Sequence, residues 1–149
     1  MTEVSFYHLQ NSPLERALPK LLERTVESGK RAVVLVRSEE RAESLADLLW
    51  TYDPAAWLPH GTVKDGDAAD QPVWLTAEDA NPNGATFLFL ADGADSVQLA
   101  SYDRCFDLFD GNDPEAVAAA RTRWKARLVA GHTLRYWQQT ERGGWEEKA

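Results

Sequence analysis

Five consecutive apolar residues, Ala32 to Val36 (AVVLV), constrain this chain more than any other stretch. They do not alternate with polar residues, so a strand formed here is apolar on both faces. Such a strand belongs in a parallel sheet with helices packed above and below it. Thr86 to Leu90 (TFLFL) reads the same way. Before them, Val4 to Leu9 (VSFYHL) predicts a first strand. Ser12, Pro13 and Glu15 then predict a capping box, opening a helix whose apolar face is Leu18, Leu21, Leu22 and Val26. Pro19 lacks an amide hydrogen and predicts a kink or restart in that helix, and Gly29 ends it. Ser38 opens a second helix carrying Leu45, Leu48 and Leu49, with Trp50 near its end. This βαβα order is that of a right-handed α/β sheet. Val73–Thr76 and Tyr102–Phe109 read as further strands, Asp95–Ala100 as a helical turn, and Gly61–Pro72 as a flexible polar connection. The expected architecture is a single three-layer α/β/α domain over 1–149. Its sheet is mainly parallel with about five strands, and a flexible acidic tail follows from about 143.

The C-terminal quarter carries the functional signal. Asp113 caps a helix, Pro114 suits its first position, Glu115 suits the positive end of the dipole, and Gly131 offers a left-handed stop. At roughly 100° per residue, Val117, Trp124 and Leu128 fall within about 40° of one another. Arg121 lies at the edge of that stripe, Lys125 one turn further on, and Arg123 and Arg127 on the other flank. Residues 1–120 hold 9 Lys/Arg against 21 Asp/Glu, whereas 121–142 hold 6 against Glu141 alone, in a chain of net charge −8. One basic, aromatic segment on an acidic protein suits a carboxylate attached to something apolar, with Arg121 as the inward fork. A second interface signal is the loop Trp57-Leu58-Pro59-His60, where aromatics sit among turn residues.

Several chemistries lack their residues. Gly61 to Gly66 has P-loop spacing, but Asp67 stands where the phosphate-binding lysine belongs, and no G-x-G-x-x-G follows a strand. His8, His60 and His132 form no metal-ligand pattern, and Asp65, Asp67 and Asp70 fail the calcium-loop spacing. No cofactor or metal is expected. Cys105, the one cysteine, excludes an internal disulfide and reads as a buried strand thiol. No apolar run approaches the length of a membrane span, and the N-terminus lacks the pattern of a secretory signal. A cytoplasmic protein without catalytic apparatus is expected.

The order of F-Y-H-L, S-G-K-R-A-V-V-L-V, L-W-T-Y-D-P…W-L-P-H, L-F-D-G-N-D and A-R-T-R-W-K-A-R-L-V-A-G-H-T-L-R-Y-W-Q-Q resembles the chi subunit of bacterial DNA polymerase III. The likeness runs from about Val4 to Trp145. It implies a five-stranded, largely parallel fold and a non-enzymatic accessory subunit of the clamp-loader assembly, monomeric when alone and reaching DNA only indirectly. One surface of such a subunit takes the acidic, hydrophobic C-terminal tail of single-stranded DNA-binding protein; another takes the psi subunit. On A-R-x-R-[W/Y]-K the tail-binding arginine falls on Arg121, its aromatic neighbour on Trp124 and its lysine on Lys125. Val117, Leu128 and Leu134 complete that expected site, and Leu134–Trp137 follows it in sequence. The psi-facing aromatic falls on Trp57, with Leu58 and His60 beside it. Two other readings remain: a diverged α/β nucleotide-binding enzyme, and a direct single-strand binder using Trp124, Tyr136 and Trp137 as stacking rings.

Overall fold

A computed structural model describes residues 2–148, and one seven-stranded sheet gathers every strand in it. The elements in chain order are β1 (Glu3–Leu9), α1 (Leu14–Glu27), β2 (Ala32–Leu35), α2 (Glu39–Thr51), β3 (Val73–Thr76) and β4 (Phe87–Ala91). They continue with β5 (Arg104–Asp110), α3 (Pro114–Val129), β6 (Thr133–Gln139) and β7 (Trp145–Glu147). The strand order is β3-β2-β4-β5-β1-β6-β7. All neighbours run parallel except β7, which is antiparallel to β6. The α/β class holds, with two more strands than the sequence suggests.

Opposed crossover directions explain the three layers. The β1–α1–β2 connection travels one way across the sheet, and β5–α3–β6 travels the other. Right-handed crossovers in opposite directions place their helices on opposite faces. On one face α1 and α2 bury Leu18, Leu22, Leu45 and Leu49 against Val34, Leu75, Phe89 and Phe106. On the other, α3 covers Val4, Phe6, Cys105 and Phe109. The runs AVVL and FLFLA are buried essentially throughout, as a strand sandwiched between layers must be. No helix is long and apolar enough to cross a membrane.

The start of α1 differs from the expected capping box. Pro13 holds the N-cap position without a side-chain cap, and the helix continues through Pro19 without a restart. Ser12 is engaged elsewhere. Its amide and those of Gln10 and Asn11 all donate to the side-chain oxygen of Gln139, at 3.0, 3.2 and 2.9 Å. The Gln139 amide group donates back to the Ser12 hydroxyl at 2.6 Å. One buried amide side chain therefore ties the end of β6 to the β1–α1 turn.

The chain beyond 143, expected as a flexible acidic tail, contains a strand. Thr140 and Gly144 close a tight turn, Gly143 takes φ +84°, and Trp145 pairs opposite Gln139. Trp145 packs edge-on against Tyr7 at 4.9 Å, so an aromatic contact draws the hairpin onto the sheet.

Candidate functional site

Helix α3 begins and ends as its residues dictate. The Asp113 carboxylate accepts the Glu115 amide at 3.0 Å, and Pro114 occupies the first turn. At the other end Gly131, at φ +86°, donates to Leu128 O, while the His132 amide donates to Arg127 O. Its rotation about its own axis is less simple. The buried face is Ala120, Arg123 and Arg127, not the Val117–Trp124–Leu128 stripe. Arg123 forks onto Asp107 in the middle of β5, with Nε at 2.7 Å and Nη2 at 3.0 Å from the two carboxylate oxygens. Arg127 reaches Asp95 at 2.5 Å. The two arginines expected on the other flank thus point inward. Arg123 does so because the Asp107 carboxylate buried in the sheet requires a cation, whereas the Asp95 side chain that meets Arg127 is 53% exposed. The signal was Asp107 itself, an acid inside the apolar run CFDLF.

This rotation turns the expected stripe into a shoulder. Val117 and Trp124 are half-buried at the edge of the core, whereas Leu128 is 60% exposed. Arg121 is exposed rather than inward, and so is Lys125. Trp124 packs against Phe6 (ring centroids 5.3 Å apart) and against Tyr136 on β6 (5.9 Å). Tyr136 in turn meets His8, whose Nδ1 lies 2.5 Å from the phenol oxygen. Leu134 is half-buried and packs against the same core cluster. Arg121 acts on this floor electrostatically. Burial lowers the His8 pKa and the Arg121 charge lowers it further, while burial raises that of Tyr136 against the opposing pull of Arg121. Gly111 keeps the floor in place, since a Cβ there would stand 1.9 Å from the His8 ring.

The basic segment is correspondingly divided. Of its six cations, Arg123, Arg127 and Arg135 are paired with carboxylates from elsewhere in the chain. Among the described residues, Arg121 and Lys125 make no ion pair or side-chain hydrogen bond. They are the two on α3 left for a ligand, beside a half-buried aromatic and aliphatic floor.

The sequence matches the family model described as DNA polymerase III chi subunit, HolC, over residues 1–135. The chain belongs to the DNA polymerase III chi subunit family. A relative named "Probable DNA polymerase III subunit chi" from Rickettsia prowazekii (strain Madrid E) is 33% identical over 109 residues. That match covers 71% of this chain and 66% of the relative, just under two thirds of its length. The "DNA polymerase III subunit chi" of Escherichia coli (strain K12) is 23% identical over 142 residues, covering 90% of this chain and 96% of the relative.

The loop expected to form a second surface on this chi-family chain splits residue by residue. Trp57 is 79% exposed, but Leu58 and His60 are buried. Leu58 joins the core under α1 and α2. The His60 ring lies 2.8 Å from the carbonyls of both Leu58 and Ala46, and it packs beneath Trp50 at 4.1 Å. An extended segment alternates its side chains, so Trp57 outward places Leu58 inward. Leu58 and His60 therefore anchor the loop to α2, and the exposed rings are Trp57 and Trp50.

The nucleotide reading has a natural place to look, the cleft of about 830 Å³ at the carboxyl ends of β1 and β5, where the crossovers diverge. Its lining includes Glu15, Asp92, Asp110, Asp113 and Glu115 against Arg37, Arg41 and Arg123. Arg41 is already held by Asp92 at 2.7 Å and Glu15 at 3.6 Å, and Arg123 by Asp107. That charge balance repels phosphate. The Cys105 thiol is fully buried and its pKa is pushed well up by burial, the opposite of an activated nucleophile. Among the described residues no group of three or more His, Cys, Asp or Glu side chains converges to hold a metal.

Proposed function

We propose that this chain is a non-catalytic accessory subunit of the DNA polymerase III assembly, in the clamp-loader part of the replicative machinery. It acts there as an adaptor that grips the acidic C-terminal tail of single-stranded DNA-binding protein. The observation that carries the reading is the pair Arg121 and Lys125, uncompensated on one shoulder of α3 beside Trp124, Leu134 and Tyr136. An arginine fork takes the terminal carboxylate. Val117, Trp124 and Leu134 receive the last apolar side chain, with the exposed Leu128 extending the apolar rim. Lys125 draws in the acidic residues that precede it. Family membership and the names of the two relatives support the setting. The experiment is a pull-down with purified single-stranded DNA-binding protein, full-length and lacking its tail. Capture of the full-length form alone is expected; equal capture of both forms would exclude the tail as the ligand.

Trp57 serves a second partner in that assembly, the psi subunit, as an exposed aromatic anchor. Because the ring is in solvent, Trp57→Ala should change folding stability by no more than about 0.5 kcal/mol while removing capture of that partner. A large drop in melting temperature on this substitution would instead make Trp57 part of the fold.

A further inference from the structure

A second cationic site lies on the opposite side of the sheet from α3. The outer face of α1 and the β6–β7 hairpin enclose a cleft of about 470 Å³. Arg16, Lys20 and Arg24 form one wall, four residues apart along the helix; Arg142 and Trp145 form the other, with Glu141 the lone acid in the lining. The lining charge is four cations against one anion, on a protein whose net charge is −8. Among the described residues none of these four cations has an ion pair or a side-chain hydrogen bond, although Glu23 and Glu27 lie on the same helix. Glu23 is turned away toward the Tyr52 hydroxyl, with which it hydrogen-bonds. Four unpaired cations held together in one cleft repel one another, and an anionic ligand removes that repulsion.

The cleft walls are fixed rather than loose. Gln139 clamps the base of the hairpin to residues 10–12, and Trp145 is seated against Tyr7. Arg142 and Trp145 also lie beyond residue 135, where the family-model match ends, so their side of the cleft is outside the matched region.

We infer that this cleft seats the phosphodiester backbone of a single nucleic-acid strand. The three α1 cations repeat about every 6 Å along the helix axis, at 1.5 Å per residue. That spacing is of the order of the separation of successive phosphates in an extended strand. Guanidinium groups match phosphate oxygens in pairs, and Trp145 offers a ring on which a base can stack. The apolar residues beneath the cations, Ala17 and Leu21, are buried and leave no socket for an anchoring side chain. Recognition through charge and one flat ring suits a strand carrying a charge at every unit better than it suits an acidic peptide.

The test is fluorescence anisotropy of a labelled oligothymidylate, about ten nucleotides long to exceed one such site, titrated with the full chain at increasing salt. Three engaged phosphates give a log–log salt slope of about −2, at roughly −0.7 for each. Replacing Arg16, Lys20 and Arg24 together by Gln should weaken binding at least about tenfold at low salt and flatten the slope. Arg142→Gln should weaken it several-fold from the other wall, with the melting curve unchanged, since its side chain is exposed. The inference is overturned if the oligonucleotide fails to bind at low salt or if the triple variant binds like the parent. It is equally overturned if Arg121→Ala and not the triple variant removes binding, which would put the strand on α3. A decaglutamate peptide binding more tightly than the oligonucleotide would make the cleft a peptide seat.

Discussion

Arg123→Met should destabilise the protein by roughly 3–5 kcal/mol in a urea titration, because it strands a buried carboxylate. Asp107 sits mid-strand in β5 with β4 and β1 on either side, and its side chain is 2% exposed. The Arg123 fork acts on it directly, and the Arg127 and Asp95 charges act on it as well. Burial pushes the Asp107 pKa up, and the Arg123 hydrogen bonds and charge pull it part of the way back. An acid whose pKa is higher in the folded than in the unfolded state contributes its stability at low pH and loses it as pH rises through the folded value. Without Arg123 the folded value climbs further. The variant should therefore recover stability as pH is lowered from neutral toward the unfolded-state value of about 3.9, and the gain should exceed that of the parent. Pairing Arg123→Met with Asp107→Leu should restore most of the loss, since apolar replacement of a buried ion pair is often close to neutral. A single variant that loses less than about 1 kcal/mol, or whose stability is flat between neutral and mildly acidic pH, would mean that Asp107 is not dependent on Arg123.

That ion pair also marks where the sequence was hard to read. The strands expected at Ala32–Val36 and Thr86–Leu90, observed as Ala32–Leu35 and Phe87–Ala91, were legible because a strand between two helical layers is apolar on both faces. Helix α3 was legible at its ends, where Asp113, Pro114 and Gly131 each have a local backbone role. Its rotation was not, because a helical wheel ranks arginine as polar whether it faces solvent or a buried aspartate. Strand β6 (TLRYWQQ) escaped for a related reason. It lies near the sheet edge, only Gln139 in it is buried, and Arg135 and the glutamines break the apolar alternation. Yet β6 supplies Leu134 and Tyr136 to the site floor, and its last residue clamps the β1–α1 turn. The loop at Trp57 was half legible: exposure of its first ring could be read from the turn residues, whereas burial of Leu58 and His60 depended on where α2 lies.

The division of the arginines makes Arg121→Ala an unusually clean probe. Arg121 is exposed and has no ion pair among the described residues, so its removal leaves no buried charge behind. The melting temperature should stay near that of the parent. Binding of a peptide corresponding to the acidic tail should instead fall steeply. In the proposed complex the tail's terminal carboxylate would be desolvated against Trp124 and Tyr136, and losing its fork there would cost about 2–5 kcal/mol. At about 1.4 kcal/mol per decade this is a weakening of roughly 30-fold to several thousand-fold. Lys125 stands further around the helix in solvent, so Lys125→Ala should cost roughly 1 kcal/mol or less and make the salt dependence shallower. Trp124→Ala is a poorer probe, since that ring also packs on Phe6 and Tyr136 and its loss would lower stability and binding together. Calorimetric titration of tail peptide into the two cation variants, with melting curves run in parallel, separates the roles. Binding by Arg121→Ala within twofold of the parent would remove Arg121 as the carboxylate fork, and with it the reason for placing the tail on this shoulder.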